Sequence, residues 1–397
     1  MKSSILDKIE SNIKGKQFNI IVGLGEEIEQ NLIIEQVCEK FTKKYKNFIL
    51  LVGGYDSYLE NKKDAEKTLY DLKIEREIGN ITLMKGDTEF ETDDTIKPAD
   101  AFKGDKAVKI NEYLEHLYQI ARIIYQKTEE IRKTGGIFKV VCVHPERVLL
   151  SLVFFDEIVE LATSKPIQKS IKDADLVKWI KQFSGVRGAI SAARFIQFLK
   201  VILTSLRSDV YDVLRISRIA LIETSDNLQF LFAPVGIDEA TNFEKKKYFL
   251  NNAALLLGEL GIEPQLSVMS GGRFGDLGRN KYVDETLKTA ELLVSYFETE
   301  APMKLKISND QILIENAVKK GNFLLAPDGV SGNYIYRTLV YLGAGNAYGA
   351  LYSSVYFKHK KVLLDTSRVA KESEIHGSLI QAAGFTKLLQ KESKKKE

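Results

Sequence analysis

Three loops in the C-terminal third, the first two of them rich in glycine, each follow a short apolar run, and this arrangement constrains the fold more than any other feature. The loops cover residues 266–278, 326–333 and 364–368. Each apolar run is typical of a buried strand, and the first two loops lead into a helical pattern. Glycine lets backbone N–H groups approach a ligand closely, and a helix start presents unpaired donors. The loops therefore predict a cleft for an anionic or phosphorylated ligand.

The rest of the chain alternates between strand and helix patterns. Residues 18–22 and 48–52 predict two strands around a helix, which is a β-α-β unit. Residues 216–223 and 228–233 predict an antiparallel hairpin. Capping boxes at 241–244 and 308–311 each predict the start of a helix. This alternation predicts an α/β fold with mostly parallel sheets.

The length of 397 residues favours two domains, because a single core of this size is unusual. We predict a first domain from residues 1–214 and 346–397, with a second α/β domain inserted at 215–345. The polar stretch that begins at residue 86 is followed by long helical patterns. We therefore interpret 86–165 as an elaboration on the first domain.

Charge and composition exclude several classes of function. The 57 basic and 54 acidic residues give a net charge of +3, which offers no electrostatic case for binding nucleic acid. No apolar run approaches the ~20 residues that span a bilayer, and the N-terminus lacks the pattern of a signal peptide. We expect a cytoplasmic protein. The four histidines and two cysteines lack the spacing of zinc ligands, so no metal site is predicted.

Four longer strings carry a resemblance to a known family. Residues 185–192, 233–239, 270–279 and 326–333 resemble the methanogenesis-marker family MtxX of methanogenic archaea, which is provisionally described as a methyltransferase subunit. The order of the loops also resembles the phosphate acetyltransferase and acyltransferase superfamily. The resemblance implies two α/β domains that face each other across an interdomain cleft.

In acetyltransferases of that superfamily, a loop of small residues and a late Ser-Arg pair bind phosphate, and an acidic residue acts as base toward the thiol of coenzyme A. The resemblance implies that Glu374, with Glu372 as the alternative, occupies the position of the base. The implied phosphate ligands are Arg187, Gly188, Ser191, Ser367 and Arg368.

Each candidate residue also has an ordinary structural interpretation. Arg187 and Arg368 can bind an anion, or they can be a structural ion-pair partner and a surface side chain. Asp328 is a catalytic candidate that can equally cap the following helix. The loop at 270–279 can close over a ligand or remain solvated. Its candidate ligand residues, with those of the next loop, are Ser270, Gly271, Gly272, Arg273, Gly332 and Asn333.

Three functions remain open from the sequence. The first is a transferase of the phosphate-acyltransferase type, in which Arg187, Ser191 and Arg368 position an anionic substrate. Coenzyme A is the cofactor that this function would use. The second is a methyltransferase subunit that acts with tetrahydromethanopterin or a corrinoid protein, together with other methyltransferase proteins of methanogenesis. The third is a ligand sensor or assembly factor without catalysis.

We also predict a homodimer. The helix expected at 243–260 carries apolar residues over more than a narrow stripe, which is typical of a helix covered on two sides. The alternative is that all of these residues belong to the internal core. The residues of this broad face are Phe249, Leu250, Ala254, Leu256 and Leu257.

Overall fold

A computed structural model of the chain describes residues 4–13, 15, 17–54, 57, 117–118, 120–142, 144–161, 173–205 and 216–396. Contacts between Cα atoms divide the chain into two compact units. The larger unit comprises residues 13–214 and 361–397, and the smaller unit comprises residues 1–12 and 215–360.

Strands are numbered in chain order through the described residues. They are β1 (Asn19–Gly23), β2 (Phe48–Gly53), β3 (Gly136–Val141), β4 (Phe183–Val186), β5 (Arg218–Glu223), β6 (Gln229–Ala233), β7 (Gln265–Met269), β8 (Lys306–Gln311), β9 (Phe323–Leu325), β10 (Asn346–Tyr352) and β11 (Leu363–Asp365).

Helices are numbered in the same way. They are α1 (Ile5–Glu10), α2 (Ile28–Tyr45), α3 (Glu129–Thr134), α4 (Pro145–Val153), α5 (Phe155–Leu161), α6 (Ala174–Ile180), α7 (Ala192–Ser205), α8 (Phe243–Glu259), α9 (Lys281–Ser295), α10 (Ile314–Lys320), α11 (Gly329–Arg337), α12 (Ser353–His359) and α13 (Glu372–Lys396). No helix in the described part of the chain is both long and apolar enough to cross a membrane.

The larger unit is built on a parallel sheet with the strand order β3-β2-β1-β4-β11. Every residue of β1, β2 and β4 is buried. Parallel strands covered by helices on both faces are apolar throughout rather than alternating, which explains the continuous apolar runs in the sequence. The predicted β-α-β unit at the N-terminus is confirmed, since β1 and β2 pair in parallel around α2.

The smaller unit has a mixed sheet with the order β10-β5-β6-β9-β7-β8. Strands β6, β9, β7 and β8 are parallel, whereas β5 pairs antiparallel with both β6 and β10. The predicted hairpin is β5–β6. The core of the smaller unit contains Phe230, Phe232, Met269 and Leu324. The α/β class with mostly parallel pairing is thus as predicted.

The capping box predicted at residues 308–311 is wrong, because this segment forms strand β8 instead of a helix start. Ser308 Oγ donates to the carboxylate of Asp310 at 2.6 Å, and Ser267 Oγ of β7 donates to the same oxygen at 2.6 Å. The backbone pairs with β7 in parallel register. Cross-strand bonds outweigh the local capping pattern, and α10 starts only at Ile314. The helix does end before Gly321, as expected.

The broad apolar face predicted on the helix at 243–260 does not supply a dimer surface. The five apolar residues named for it are each between 0% and 2% exposed within the single chain. Helix α8 is covered on both sides by its own unit, since it contacts α9, α12, β7 and β9. The homodimer itself stays a prediction.

Two structural facts bear on the predicted domain limits, which remain a prediction. Strand β10, at residues predicted to return to the first domain, pairs with β5 in the smaller unit. Helix α1, at residues also predicted for the first domain, is part of the smaller unit, where Leu6 N donates to Gln229 Oε1 at 3.0 Å. Residues 86–116 of the predicted elaboration lie outside the described residues, while its later part supplies β3, which pairs with β2.

Candidate functional site

The direction of strand addition reverses between β1 and β4 in the larger unit. The chain places β2 and β3 on one side of β1, and β4 and β11 on the other. The chain therefore moves toward opposite edges of this sheet after β1 and after β4. In open α/β sheets such a switch point leaves a crevice at the carboxyl ends of the strands, where ligands bind.

The loop after β1 is held in shape by buried hydrogen bonds. Asn31 of α2 accepts from Gly25 N at 2.9 Å and donates to Gly25 O at 2.8 Å. Ser57 Oγ also donates to Gly25 O, at 2.6 Å. Gly25 itself has no room for a side chain, because an added Cβ would lie 2.3 Å from Ala189 O. The loops after β1 and β4 are thus packed directly against each other.

The loop after β4 depends on Gly188, one of the predicted ligand residues. Gly188 has φ +61°, and a Cβ there would lie 1.9 Å from Gly23 O. Only glycine meets both demands. Its carbonyl accepts from Thr366 Oγ1 at 2.8 Å, and Ala189 N donates to Gly23 O at 3.1 Å. Gly188 is therefore the point at which three strand-end loops meet.

Arg187 is 3% exposed, and the hydrogen bonds of its guanidinium go to protein groups. Its Nε donates to the carboxylate of Asp365, and its two terminal nitrogens donate to the carbonyls of Ile190 and Thr366. Arg187 is not among the residues that line the pocket described below. The geometry matches the structural interpretation of this residue, in which it joins the loops after β4 and β11.

Glu374 also holds a loop. It is 2% exposed, and its Oε1 accepts from the backbone N–H of Ser367 at 2.6 Å. Glu374 does not line the pocket. Glu372, the alternative base, is on the surface and forms an ion pair with Lys40 at 3.2 Å. The acidic residue that the resemblance suggests as a base thus fixes the backbone beside Arg368.

A cavity of about 270 Å³ opens at the switch point, within the larger unit. Ser191 lies on its wall immediately before α7, where the first N–H groups of a helix lack intrahelical partners. Within the described residues, the hydroxyl of Ser191 has no hydrogen-bond partner and the exposed guanidinium of Arg368 has no ion pair. The lining residues are Leu24, Gly25, Glu26, Glu27, Gly54, Ser57, Pro145, Glu146, Ala189, Ile190, Ser191, Arg194 and Arg368.

The same pocket has an acidic side. Glu146, at the start of α4, is 5% exposed and lies 3.5 Å from Nδ1 of His144. Burial tends to raise the pKa of Glu146, but His144, the backbone N–H of Glu146 and Arg147 outweigh it and leave that pKa lowered. On the rim, Glu26 and Arg194 form an exposed ion pair at 3.7 Å. The pocket therefore offers both basic and acidic groups.

The smaller unit carries the remaining predicted residues at the carboxyl ends of its parallel strands. Ser270 follows β7 and is buried, and its Oγ donates to Gly272 O at 3.1 Å. Gly271 N donates to Thr286 Oγ1 at 2.9 Å. Arg273 is exposed, and its backbone N–H donates to Asp276 at 2.9 Å. The loop is shaped by its own hydrogen bonds, while the side chain of Arg273 extends to the surface.

Asp328 caps α11, as one of its two interpretations predicted. Its Oδ1 accepts from Ser331 N at 2.8 Å, and its Oδ2 accepts from Ser331 Oγ at 3.1 Å and from the hydroxyl of Tyr282. Burial opposes ionisation of Asp328, but these hydrogen bonds outweigh it and lower its pKa. Lys246 of α8 lies within electrostatic range of Asp328, and burial lowers the pKa of its ammonium group.

Gly332 and Asn333 pack α11 against the loop after β6. A Cβ on Gly332 would lie 2.1 Å from Pro234 O, and Asn333 Nδ2 donates to Val235 O at 2.8 Å. That loop is fixed by a buried ion pair between Arg218 and Glu239 at 2.8 Å. These contacts give Gly332 and Asn333 a packing role.

Sequence reasoning did not single out several residues that the fold brings to these edges. In the larger unit, Glu146 and Arg194 line the pocket. In the smaller unit, Tyr282 and Lys246 accompany Asp328. A proline at the first position of a helix marks the start of α4, but nothing local connects Glu146 with the loop after β1. Among the described residues, no group of three or more His, Cys, Asp or Glu is placed to hold a metal ion.

Comparisons with known proteins identify the family. No family model matches the chain. A protein of Methanosarcina acetivorans, provisionally named methyltransferase mtx subunit X, is 35% identical over 237 residues, which cover 60% of this chain and 78% of the relative. The chain belongs to the Mtx subunit X family.

A second member of the Mtx subunit X family, from Methanosarcina barkeri, is 46% identical over 157 residues. This match covers 39% of the chain and 55% of that relative's length. A branched-chain phosphotransacylase from Enterococcus faecalis shares the fold, with a TM-score of 0.50 at 13% identity over 92% of this chain and 99% of the other. The family and the fold class therefore agree with the resemblance found in the sequence.

Proposed function

We propose that the chain is a transferase that binds a small ligand through a phosphate or other anionic group in the pocket of the larger unit. The observation that carries this proposal is the pairing of Ser191 and Arg368 in one cavity at the switch point. Within the described residues, neither side chain is engaged by another protein group. A hydroxyl at a helix start and an arginine are both suited to hold an anion.

Phosphate acyl transfer is the reaction that we favour. The fold is shared with a branched-chain phosphotransacylase, and the order of loops supports the same chemistry. Here Ser191, the first N–H groups of α7 and Arg368 would bind the anionic group and stabilise charge that develops on it. Arg187 and Glu374 would position the loops, because their polar groups are bonded to Asp365 and to Ser367. Coenzyme A is the acyl acceptor to test.

A second function is favoured by the name of the relatives, which describes a subunit of a methyltransferase. In that case the anionic ligand would be part of a methyl carrier such as tetrahydromethanopterin, or the chain would act beside a corrinoid protein. The two functions differ in which ligand stabilises the purified protein. A thermal-shift comparison of phosphate, coenzyme A, acetyl phosphate and tetrahydromethanopterin separates them.

The test of the anion site is the variant Arg368→Ala, measured by calorimetric titration with inorganic phosphate. We expect affinity to fall about 10- to 100-fold, because one charge-assisted hydrogen bond contributes roughly 1.5–3 kcal/mol. The melting temperature without ligand should not change, since Arg368 is exposed.

Lys40→Ala is the matched control. It removes an exposed cation of the same unit that pairs with Glu372 and does not line the pocket. It should leave the affinity for phosphate unaltered. Unchanged affinity in Arg368→Ala would remove the basis for this anion site.

We further propose that the chain forms a homodimer through the smaller unit. Three exposed apolar residues lie along α11 and the π-helical turn that continues it. They are Val330, Tyr334 and Leu342, at intervals of four and eight residues. Their exposed fractions are 51%, 70% and 83%. Association would remove these side chains from water, which favours it.

A further inference from the structure

Glu146 gives the pocket a property that an anion site alone does not need. The residue lines the cavity, yet it is only 5% exposed. The imidazole of His144 lies beside it, with Nδ1 3.5 Å away, longer than a strong charged hydrogen bond. The carboxylate is therefore buried beside the ligand space while it retains capacity to accept a further hydrogen bond.

The other acidic residues of the pocket differ from Glu146 in their exposure. Glu26 and Glu27 lie on the rim and are exposed, and Glu26 faces Arg194 across 3.7 Å. Water screens exposed charges strongly, so these residues contribute little to selection among ligands. Screening is much weaker at a buried carboxylate. Glu146 is thus the acidic group that a bound ligand experiences most directly.

A ligand with negative charge alone would be attracted by Arg368 and repelled by Glu146. A ligand with an additional cationic group would satisfy both residues. The cavity of about 270 Å³ is close to the lower limit of ~300 Å³ for small-molecule sites, which suits a compact molecule with both charges. Neutral groups would leave part of the hydrogen-bonding capacity of the buried carboxylate unused, which is unfavourable.

We propose that Glu146 makes this pocket selective for small ligands that carry a cationic amine beside their phosphate or carboxylate group. The inference rests on the proposed anion site and names the class of ligand that it accepts. The carboxylate would accept hydrogen bonds from the ammonium group, while Ser191 and Arg368 hold the anionic group.

The test uses two probes of matched shape, 2-aminoethyl phosphate and n-propyl phosphate, titrated calorimetrically into the full-length protein at one fixed pH. The probes differ only in an ammonium group that replaces a methyl group. We expect the wild type to bind 2-aminoethyl phosphate about 10- to 100-fold more tightly, the range that one charged hydrogen bond supplies. In Glu146→Gln the ratio of the two affinities should fall to near one, with the affinity for n-propyl phosphate retained or increased.

Glu27→Gln is the matched control, because it neutralises a carboxylate of the same pocket that is exposed. It should preserve the ratio. Equal binding of the two probes by the wild type overturns this inference, and so does a ratio that survives in Glu146→Gln or is lost in Glu27→Gln. If Glu146→Gln does not fold, the ratio of the two affinities measured for the wild type still supports or overturns the inference. If neither probe nor inorganic phosphate binds, the proposed anion site fails as well.

Discussion

At the scale of single residues, the two predicted phosphate-binding arginines have opposite environments. Arg187 is buried and bonded to Asp365 and two carbonyls, whereas Arg368 is exposed on the wall of the pocket. A buried guanidinium is stable only when its donors are satisfied by protein groups. The environment of Arg187 is therefore that of a structural residue, and the environment of Arg368 allows it to contact a ligand.

This difference predicts a large loss of stability in Arg187→Ala. Removing one partner of a buried ion pair costs about 3–5 kcal/mol, because the buried carboxylate of Asp365 would lose the cation that it pairs with. We expect the free energy of unfolding to fall by this amount in urea titrations. Arg194→Ala is the matched control, since Arg194 is 65% exposed and lies 3.7 Å from Glu26. It should change the stability by less than about 1 kcal/mol. Similar stability in the two variants would contradict the structural role of Arg187.

At the scale of secondary structure, the start of α11 shows how one carboxylate organises an element. Asp328 caps the helix through Ser331 and also accepts from Tyr282 at the start of α9. Gly332 lets the helix approach Pro234 closely. The residues that the sequence suggested as ligands at 328–333 thus join α11 to its neighbours. Lys246 and Tyr282 complete a polar cluster at this edge of the sheet.

Asp328→Ala should reduce the free energy of unfolding by about 0.5–2 kcal/mol through loss of the helix cap. Asp328→Asn keeps a capping oxygen and should cost less. The folded state lowers the pKa of Asp328, so its ionised form adds stability at neutral pH. That contribution should disappear as the pH falls through the folded pKa, below the ~3.9 of an unfolded aspartate.

Urea titrations of the wild type and Asp328→Asn at several pH values measure this contribution. The difference in stability between the two proteins should be largest at pH 7 and should shrink as the pH drops below about 4. A difference that is constant with pH would show that the charge of Asp328 does not stabilise the fold.

At the scale of the whole molecule, the chain consists of two compact units that each have their own parallel βα elements. Each unit places functional candidates at the carboxyl ends of its strands. In the larger unit they line a pocket, and in the smaller unit they form the polar cluster around Asp328. The exposed apolar residues of α11 and its extension belong to the smaller unit. Self-association is therefore predicted for that unit.

Light scattering at micromolar concentration should give a mass twice that of the 44.8 kDa chain. The double variant Tyr334→Glu, Leu342→Glu should be monomeric, because it places charges on the apolar surface. Leu32→Glu is the control, since Leu32 is 51% exposed on the larger unit. It should leave the mass unchanged. A monomeric wild type, or a double variant that remains dimeric, would exclude the proposed interface.

The class of fold and the positions of the main loops were accessible from the sequence. Apolar runs such as β1 and β2 are continuous because parallel strands are buried on both faces. Glycines such as Gly188 mark turns where a side chain would collide with the neighbouring loop. Longer strings led to the family, which the relative in Methanosarcina acetivorans confirms. These features are local, so a single stretch of sequence contains all the information needed to recognise them.

The tertiary structure alone decided which polar residues face the pocket. Arg187 and Arg368 have similar local contexts after a strand, but only the pairing of β4 with β11 brings Asp365 to Arg187. The strand order places Glu146 and the loop after β1 around one cavity, although more than a hundred residues separate them in the chain. The capping pattern at 308–311 became a strand because β7 offered its backbone as a partner. Partners distant in the chain determine both burial and hydrogen bonding, and local sequence does not record them.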